Sequence, residues 1–390
     1  MNYSAQVAEL LDDRTYHIEF NGHLTNHAKH AVVAFAGLGA PDTRIKEYYE
    51  NYAKLTPYGF GLEPARPATH VVSAADWTDH LGKRTSFSAY CEFFDRKEKE
   101  LGLDEVLRRY LPTLLAGWVG SFTHAVIHLG WALDADSRWM AVEGLAYLAF
   151  SYVSCHPERS GPAGPGGDPV RSLLHVAGAW EGERDRFERW VRSVIADTES
   201  ASAQQVHPEL ARSGLQFRIS RLLAEGHPTF YETPAGSDAG WDRLYYVVTL
   251  LYLSAPGDFI LLHLITSLYA MEKIAERLPA DLRAYVVKCF WIGMFSVILS
   301  EGNVPSLAAL TDLHATYDTA VDADAAAAEA DWADIVARAI DEEEEHNPKL
   351  VFVLRQIWRR SGGRSIYRAA AAGFTTTPQL PPSFDEPPTE

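Results

Sequence analysis

Apolar side chains recur with the three-to-four-residue spacing of an α-helix along most of the chain, and polar, Gly- or Pro-rich connections separate these segments. Residues 117–133 and 245–270 are apolar on almost every face, which is typical of buried helices. Pro256 and Gly257 divide the second segment into two helices. Only residues 16–20 and 70–73 are candidates for short strands. The pattern therefore predicts an all-α protein.

The predicted helices form one large domain over residues 1–374, with a metal and substrate cavity buried inside it. Besides the two buried segments, helices are predicted at residues 5–12, 23–38, 86–100, 103–115, 139–153, 183–197, 208–225, 282–299, 325–345 and 350–372, with a further helix starting at Pro41 and a short helical piece at 76–81. The Gly- and Pro-rich residues 160–167 are predicted to be a flexible loop. Residues 375–390 form a Pro-rich tail that we expect to be poorly ordered.

Composition excludes several partners. The formal net charge of -17 leaves no basic surface to neutralise phosphates, which argues against nucleic acid and against an anionic membrane. Cys91, Cys155 and Cys289 are far apart and form no CxxC pair, so neither a disulfide framework nor a thiolate zinc site is indicated. The polar, acidic N-terminus lacks the features of a signal peptide. We expect a cytoplasmic protein. The sequence leaves open whether it forms a homo-oligomer.

Histidines supply the candidate chemistry. His23, His27 and His30 stand at the front of the helix predicted over residues 23–38, where spacings of four and three residues place neighbouring imidazoles on one face. The apolar positions that follow suggest a metal site set into a helical core. Chance pairs at these spacings are expected in a histidine-rich chain, so this segment alone leaves metal binding and a structural role both open.

Later helices add buried histidines. His124 and His128 are four residues apart, where a shared metal would satisfy one nitrogen of each ring, although each ring could instead bond a backbone carbonyl. His263 stands alone in its apolar helix and, by itself, suggests a core histidine. His346 and Lys349 lie where an acidic run meets the last long apolar helix. A lysine in a dry pocket loses its charge readily, and its neutral amine can add carbon dioxide to give a carbamate with oxygen ligands.

Motifs for other chemistries are missing from the sequence: there is no GxGxxG after a strand, no P-loop, no GxSxG elbow and no HExxH. Taken together, the segments NGHLTNHAKHAVVAFAGLGA, FTHAVIHLGWAL, LLHLITS and EHNPK resemble the questin oxidase-like family, in the same order and over roughly residues 16–360. The resemblance implies a large helical oxygenase of secondary metabolism. Its expected substrate is a polycyclic aromatic polyketide such as an anthraquinone, whose quinone ring is opened with a Baeyer–Villiger-like outcome.

The resemblance also implies a mononuclear non-haem iron, Fe(II), held by histidines and a carbamylated lysine, with O2 as co-substrate. The family motifs fall on Asn26, His27 and His30; on His124, His128, Leu129 and Gly130; on His263, Leu264 and Thr266; and on His346 and Lys349. Six aligned histidines exceed what one octahedral iron needs, so two of them orient ligands or face the substrate, and the sequence does not identify which. The working assignment gives the metal to His27, His124, His128, His263 and Lys349, and catalytic roles to His30 and His346.

The sequence departs from the family pattern at two places. Lys29 stands where an uncharged residue is expected, and Asn347-Pro348 replaces an apolar pair before the lysine. Two other functions stay open. One is an NADPH-dependent Baeyer–Villiger monooxygenase, against which the missing dinucleotide motif counts. The other is a metal-free helical protein that binds an aromatic ligand without catalysis.

Overall fold

The computed structural model describes residues 3–160, 167–198, 215–232, 240–302 and 304–376. In chain order the helices are α1 Ala5–Asp12, α2 Ala28–Leu38, α3 Asp42–Lys54, α4 Phe87–Leu101, α5 Leu103–Leu114, α6 His124–Asp134, α7 Arg138–Phe150, α8 Pro169–Gly182, α9 Arg184–Thr198, α10 Leu215–Glu225, α11 Pro228–Glu232, α12 Trp241–Ser254, α13 Phe259–Glu276, α14 Ala280–Leu299, α15 Leu307–Tyr317, α16 Ala325–Asp341, α17 His346–Arg360 and α18 Ser365–Ala372. Strands β1 Glu19–Phe20 and β2 Leu24–Thr25 pair antiparallel as a small hairpin. The all-α prediction is confirmed for these residues.

Glycines let α6 sit tightly between two neighbours in the core. A Cβ added at Gly130 of α6 would lie 2.3 Å from the Cα of Ala270 in α13, and one at Gly144 of α7 would lie 2.7 Å from the backbone nitrogen of Leu129. Only glycine permits such close backbone approach. The first ten residues of α6 are all buried, so the two histidines of this helix lie in the interior.

The last long helix, α17, packs against both α2 and α13. Gly37 of α2 provides the contact surface for Phe352, whose ring carbon Cε2 would lie 2.1 Å from a Cβ added at Gly37. Eleven residues of α17 are buried, including its first four residues, His346 to Lys349. Helices α2, α6, α13 and α17 therefore meet around one interior region.

Several predicted boundaries are confirmed. The segment 245–270 is divided as predicted, because α12 ends at Ser254 and α13 begins at Phe259, where Asp258 caps the helix by accepting a hydrogen bond from Leu261 N at 2.8 Å. Helix α3 begins after Pro41 as expected. Among the described helices, α14 is long and apolar enough to span a membrane, but 72% of its most apolar window is buried inside the fold. That is the position of a core helix.

Other predicted boundaries are wrong. The helix predicted from residue 23 begins at Ala28, because the hairpin occupies residues 19–25 and Asn21 and Gly22 turn it with φ of 46° and 78°. His23 therefore lies in the hairpin turn, off the helix. The helix predicted from residue 117 begins only at His124. No strand forms at residues 70–73, which have no ladder partner.

The predicted C-terminal helix is two helices. Gly362 and Gly363 separate α17 from α18 with φ of 72° and 85°, a conformation that ends a right-handed helix. Helix α16 ends at Asp341, so the acidic run is non-helical. Most of the loop predicted at 160–167 and of the tail predicted at 375–390 lies outside the described residues. Within the tail, Thr375 is buried and hydrogen-bonded.

Candidate metal centre

Four histidines from four helix starts share one interior site. His27 immediately precedes α2, His124 and His346 are the first residues of α6 and α17, and His263 lies in the second turn of α13. All four are buried. The ring centroid of His27 lies 4.6 Å from that of His124 and 4.7 Å from that of His346. His263 lies 4.8 Å and 4.9 Å from the same two rings. Together these side chains define the histidine centre.

Hydrogen bonds fix which nitrogens of this centre carry protons. His124 Nδ1 lies 2.7 Å from the carbonyl oxygen of Ser121, and His263 Nδ1 lies 2.7 Å from that of Phe259. A carbonyl oxygen can only accept, so each Nδ1 donates and each neutral ring keeps its lone pair on Nε2. The two Nε2 atoms lie 3.1 Å apart. Two lone pairs at that distance repel each other unless a proton or a metal ion lies between them.

A proton is the weaker candidate for this position. Burial lowers the pKa of His124 well below the ordinary histidine value, and the charge of Lys349 lowers it further. Burial lowers the pKa of His263 in the same way, with His124 as the next cause. Imidazoles bound to one ion at about 2.1 Å and at angles of 90–110° place their nitrogens roughly 3.0–3.4 Å apart. The observed separation therefore fits a shared metal ion.

His346 completes a compact set of ligand atoms. One ligand nitrogen each from His27, His124 and His346 lies within 4.8 Å of the others. His346 Nδ1 hydrogen-bonds to Glu344, which also accepts from the backbone nitrogens of His346 and Asn347 at 2.7 Å and 2.9 Å. These contacts hold the ring in one orientation. Its Nε2 is buried without a hydrogen-bond partner among the described residues, as expected for a nitrogen kept for a metal.

Lys349 lies against the histidine centre. Its amine nitrogen Nζ is 2.7 Å from His27 Nδ1, and the residue is 1% exposed. Burial lowers the pKa of Lys349 to about 8, while the charges of Glu345 and Glu344 act in the opposite direction. A substantial fraction of the amine is therefore neutral near physiological pH, which is the form that can react with carbon dioxide.

The centre has a positive electrostatic background that anions must offset. Helix N-termini carry partial positive charge, and the starts of four helices converge here. Glu345 is fully buried next to His346, with one carboxylate oxygen 3.9 Å from His346 Nδ1. Burial and the neighbouring charge of Glu344 raise the pKa of Glu345. A bound cation would stabilise this carboxylate.

Two of the predicted site histidines form a separate, adjoining group. His30 Nε2 lies 2.9 Å from His128 Nδ1, and His128 Nε2 lies 3.4 Å from a carboxylate oxygen of Glu143. Lys29 forms a buried ion pair with the same oxygen at 2.6 Å. His30 also makes an edge contact with His27, at 5.6 Å between centroids. The structure thus brings His346 to the histidine centre and places His128 in this second group, which differs from the working assignment.

Sequence reasoning did not identify several residues that shape the site. Glu143 was not recognised, although Lys29, an unexpected charge in an apolar helix, signals that a buried counter-ion must exist. Glu344 and Glu345 belong to an acidic run that suggested a solvated helix end. Ser121 gave no signal, because its contact with His124 is made by a backbone carbonyl, which the sequence does not reveal. Apolar walls come from Phe122 and Phe259, whose rings stack at 6.1 Å and contact the histidines.

The fold and the site define an all-α protein built around a buried polyhistidine centre. A family model described as questin oxidase-like matches residues 24–354, and the chain belongs to the questin oxidase-like family. The resemblance found in the sequence is thereby confirmed. The chain is also similar to a protein named Baeyer-Villiger oxidase AgnL3 from Paecilomyces divaricatus, with 29% identity over 161 residues that cover 37% of this chain and 34% of that protein. The match spans about a third of that relative's length. Both names are those of oxidases, in agreement with the predicted oxidoreductase.

Proposed function

We propose that the protein is an oxygenase that opens the quinone ring of a polycyclic aromatic polyketide, and that a non-haem iron in the histidine centre serves this reaction. Family membership and the name of the similar oxidase support the reaction class. The single observation that carries the metal is the His124–His263 pair, whose Nε2 lone pairs face each other at 3.1 Å. Imidazole ligands suit iron and O2 chemistry, although zinc accepts them too.

The ligand set that we propose is His27, His124, His263 and His346, with Lys349 as a carbamate. His346 takes the place of His128 because the ring nitrogens of His128 face His30 and Glu143. When bound, Fe(II) would supply the activation of O2, for which a position must stay open. This chain's own contribution is to hold neutral imidazoles in place. Burial keeps their pKa values low, so their lone pairs are available at neutral pH.

The carbamate proposal follows from charge balance at the same site. Addition of carbon dioxide to the neutral Lys349 amine forms an N–C bond and releases one proton, so the neutral amine becomes an anion. Starting from the ammonium form, two protons leave and a cation is replaced by an anion. A divalent ion beside an ammonium and four helix N-termini would be repelled, whereas an ion beside a carbamate is attracted. The buried position of Lys349, with His27 Nδ1 at 2.7 Å, supports this assignment.

His30 is the residue that we propose as a base. His128 Nε2 faces the Glu143 carboxylate at 3.4 Å, and we propose that His128 carries its proton on this nitrogen. Its Nδ1 then accepts from His30 Nε2, and the lone pair of His30 is left on Nδ1. That nitrogen is buried without a hydrogen-bond partner among the described residues. Burial alone would raise the pKa of Glu143, but Lys29 and then His128 lower it below its usual value. A charged Glu143 can therefore stabilise an imidazolium when a substrate hydroxyl loses its proton.

Oxygen balance separates this proposal from the NADPH alternative. Once an external two-electron reductant, such as dithionite in an assay, has converted the quinone to its hydroquinone, ring opening needs only O2. Both oxygen atoms then enter the product as the carbon–carbon bond breaks. An NADPH-dependent Baeyer–Villiger reaction inserts one oxygen atom and releases the other as water. Hydrolysis of the resulting lactone then adds an oxygen atom from solvent. Labelling with 18O2 distinguishes two incorporated atoms from one.

The test begins with metal analysis of anaerobically purified protein, followed by Fe(II) loading and measurement of O2 uptake with a hydroxylated anthraquinone that dithionite has first reduced to its hydroquinone. We expect equimolar iron, ring-opened product and two labelled oxygen atoms. One labelled atom with an NADPH requirement would favour the monooxygenase. A protein that binds the quinone but takes up neither iron nor O2 would be the non-catalytic binder, and the proposed function would be wrong.

A further inference from the structure

The backbone immediately before His124 is left-handed over three consecutive residues. Ser121, Phe122 and Thr123 have φ of 48°, 52° and 68°, and none of them is glycine. In this conformation the Cβ of an L-residue crowds the following carbonyl oxygen, so single left-handed residues are uncommon and runs of them are rare. Contacts from the rest of the fold must hold such a turn, and strained backbone of this kind concentrates at functional sites.

A buried carboxylate stabilises this left-handed turn. Glu19, in strand β1, is 4% exposed and accepts hydrogen bonds from Ser121 Oγ at 2.8 Å and from Tyr147 OH at 3.0 Å through the same oxygen. Its other oxygen is paired with the buried guanidinium of Arg84. Gly120, the residue before the turn, packs closely against Ser151. A Cβ at Gly120 would lie 2.2 Å from the carbonyl oxygen of Ser151, so only glycine fits there.

The left-handed turn sets the orientation of His124, which follows it. The Ser121 carbonyl oxygen accepts from the backbone nitrogen of His124 at 3.2 Å and from its ring nitrogen Nδ1 at 2.7 Å. This second bond sets both the tautomer and the ring orientation of His124. A right-handed turn would direct the same carbonyl along the helix axis towards residue 125.

We infer that Glu19 is a positioning residue for the metal centre: through Ser121 it holds the left-handed turn that directs Nε2 of His124 at the ion. The inference rests on the proposed function, since it assumes that His124 is a ligand. It assigns a role to the hairpin residues 19–25, which contribute no ligand themselves. Outer residues that orient ligating histidines commonly affect metal affinity by roughly 10–100-fold.

Glu272 provides a matched control for a merely structural role. It is also 4% exposed, accepts from Tyr245 OH at 2.7 Å and pairs with Arg360 at 2.8 Å. Like Glu19, Glu272 therefore combines a tyrosine hydroxyl with an arginine, although Arg360 is 39% exposed. It lies about two and a half turns of α13 beyond His263. If Glu19 only stabilises the fold, Glu19→Gln and Glu272→Gln will behave alike.

The experiment measures Co(II) binding to the full-length apoprotein by its visible absorption bands, whose intensity reports coordination number. We expect Glu19→Gln to weaken Co(II) binding roughly 10–100-fold and to change the spectrum, and Glu272→Gln to keep the wild-type affinity and spectrum. Ser121→Ala repeats the test with the Glu19–Arg84 pair intact. Ser296→Ala is its control. It also removes a buried hydroxyl, which in this case donates to the carbonyl oxygen of Gly293 at 2.7 Å.

Equal effects of Glu19→Gln and Glu272→Gln, or unchanged Co(II) binding in both Glu19→Gln and Ser121→Ala, would overturn the inference. If the wild-type protein binds no metal, the proposed function fails first. The positioning role is then decided in the metal-free protein by nitrogen-15 imidazole spectra. A His124 ring that keeps a single Nδ1–H tautomer in Glu19→Gln would refute it, and a mixture of tautomers would support it.

Discussion

The close contact between α6 and α13 makes a prediction about Gly130. Replacing Gly130 by Ala puts a methyl carbon 2.3 Å from Ala270 Cα, whereas carbon atoms rest at about 3.5–4.0 Å. The helices must separate by roughly 1.2 Å or more at this point, which lies about 9 Å along α6 from His124. Because α6 and α13 carry His124 and His263, the separation of their Nε2 atoms should grow, and we expect metal affinity to fall at least tenfold.

The expected loss of stability is modest, which makes the metal readout decisive. Overpacking costs about 1–3 kcal/mol, and the better helix propensity of alanine offsets up to about 1 kcal/mol of it. With an unfolding entropy of about 2.1 cal/mol/K per residue over 390 residues, a net loss of up to about 3 kcal/mol lowers Tm by at most about 4 °C. Metal loss would therefore occur in a folded protein.

The assay pairs metal titration with thermal unfolding of the metal-free protein. Gly182→Ala is the control, since a Cβ at Gly182, the last residue of α8, meets nothing within 4 Å. This variant should bind metal as the wild type does. Unchanged metal affinity in Gly130→Ala would mean that the helix contact does not set the distance between the two imidazoles, and the reasoning would be refuted.

Three further predictions follow from buried polar contacts. Lys349→Ala should lose activity that added formate partly restores, because formate can supply the missing oxygen ligand; no rescue in the steady-state assay argues against the carbamate. Lys29→Met leaves the buried Glu143 carboxylate without its cationic partner and with only His128 beside it, so chemical denaturation should show a loss of roughly 3–5 kcal/mol. The double variant with Glu143→Met should recover most of this loss. Asn347→Leu cannot make the two bonds, 2.9 Å and 3.0 Å, that join Asn347 to Thr375, and faster proteolysis after residue 374 should reveal it.

Helical periodicity predicted most of the helices, because the burial of apolar side chains determines where these helices form. The break at Pro256–Gly257 was predictable, since proline and glycine act on the local backbone. The start of α2 was predicted too early, although Asn21-Gly22 is a hairpin signal in its own right, because the histidine spacing suggested a continuous helix. The left-handed turn at residues 121–123 could not be predicted, because tertiary contacts impose it against the preferences of Ser, Phe and Thr.

The candidate site was predictable as a set of residues but not as an arrangement. Spacing placed His124 and His128 on one face of α6, which is correct, yet one turn of helix separates a ring at the histidine centre from a ring that faces Glu143. Sequence spacing cannot tell how deeply each turn of a helix enters a site, because that depends on where neighbouring helices cross. The position of His346 at the start of an apolar helix marked it as a candidate, and the resemblance added it to the site. Its geometry depends on the packing of α17 against α2.

The distance along the chain between His27 and Lys349 also bears on how the protein is made. The two side chains touch at 2.7 Å but are 322 residues apart. At a synthesis rate of roughly 5–20 residues per second, the ribosome adds those residues over about 15–65 s, during which His27 lacks its contact with Lys349. The centre can therefore mature only after translation has passed α17. A chain that terminates before α17 would lack His346 and Lys349, so it could not assemble the ligand set proposed above.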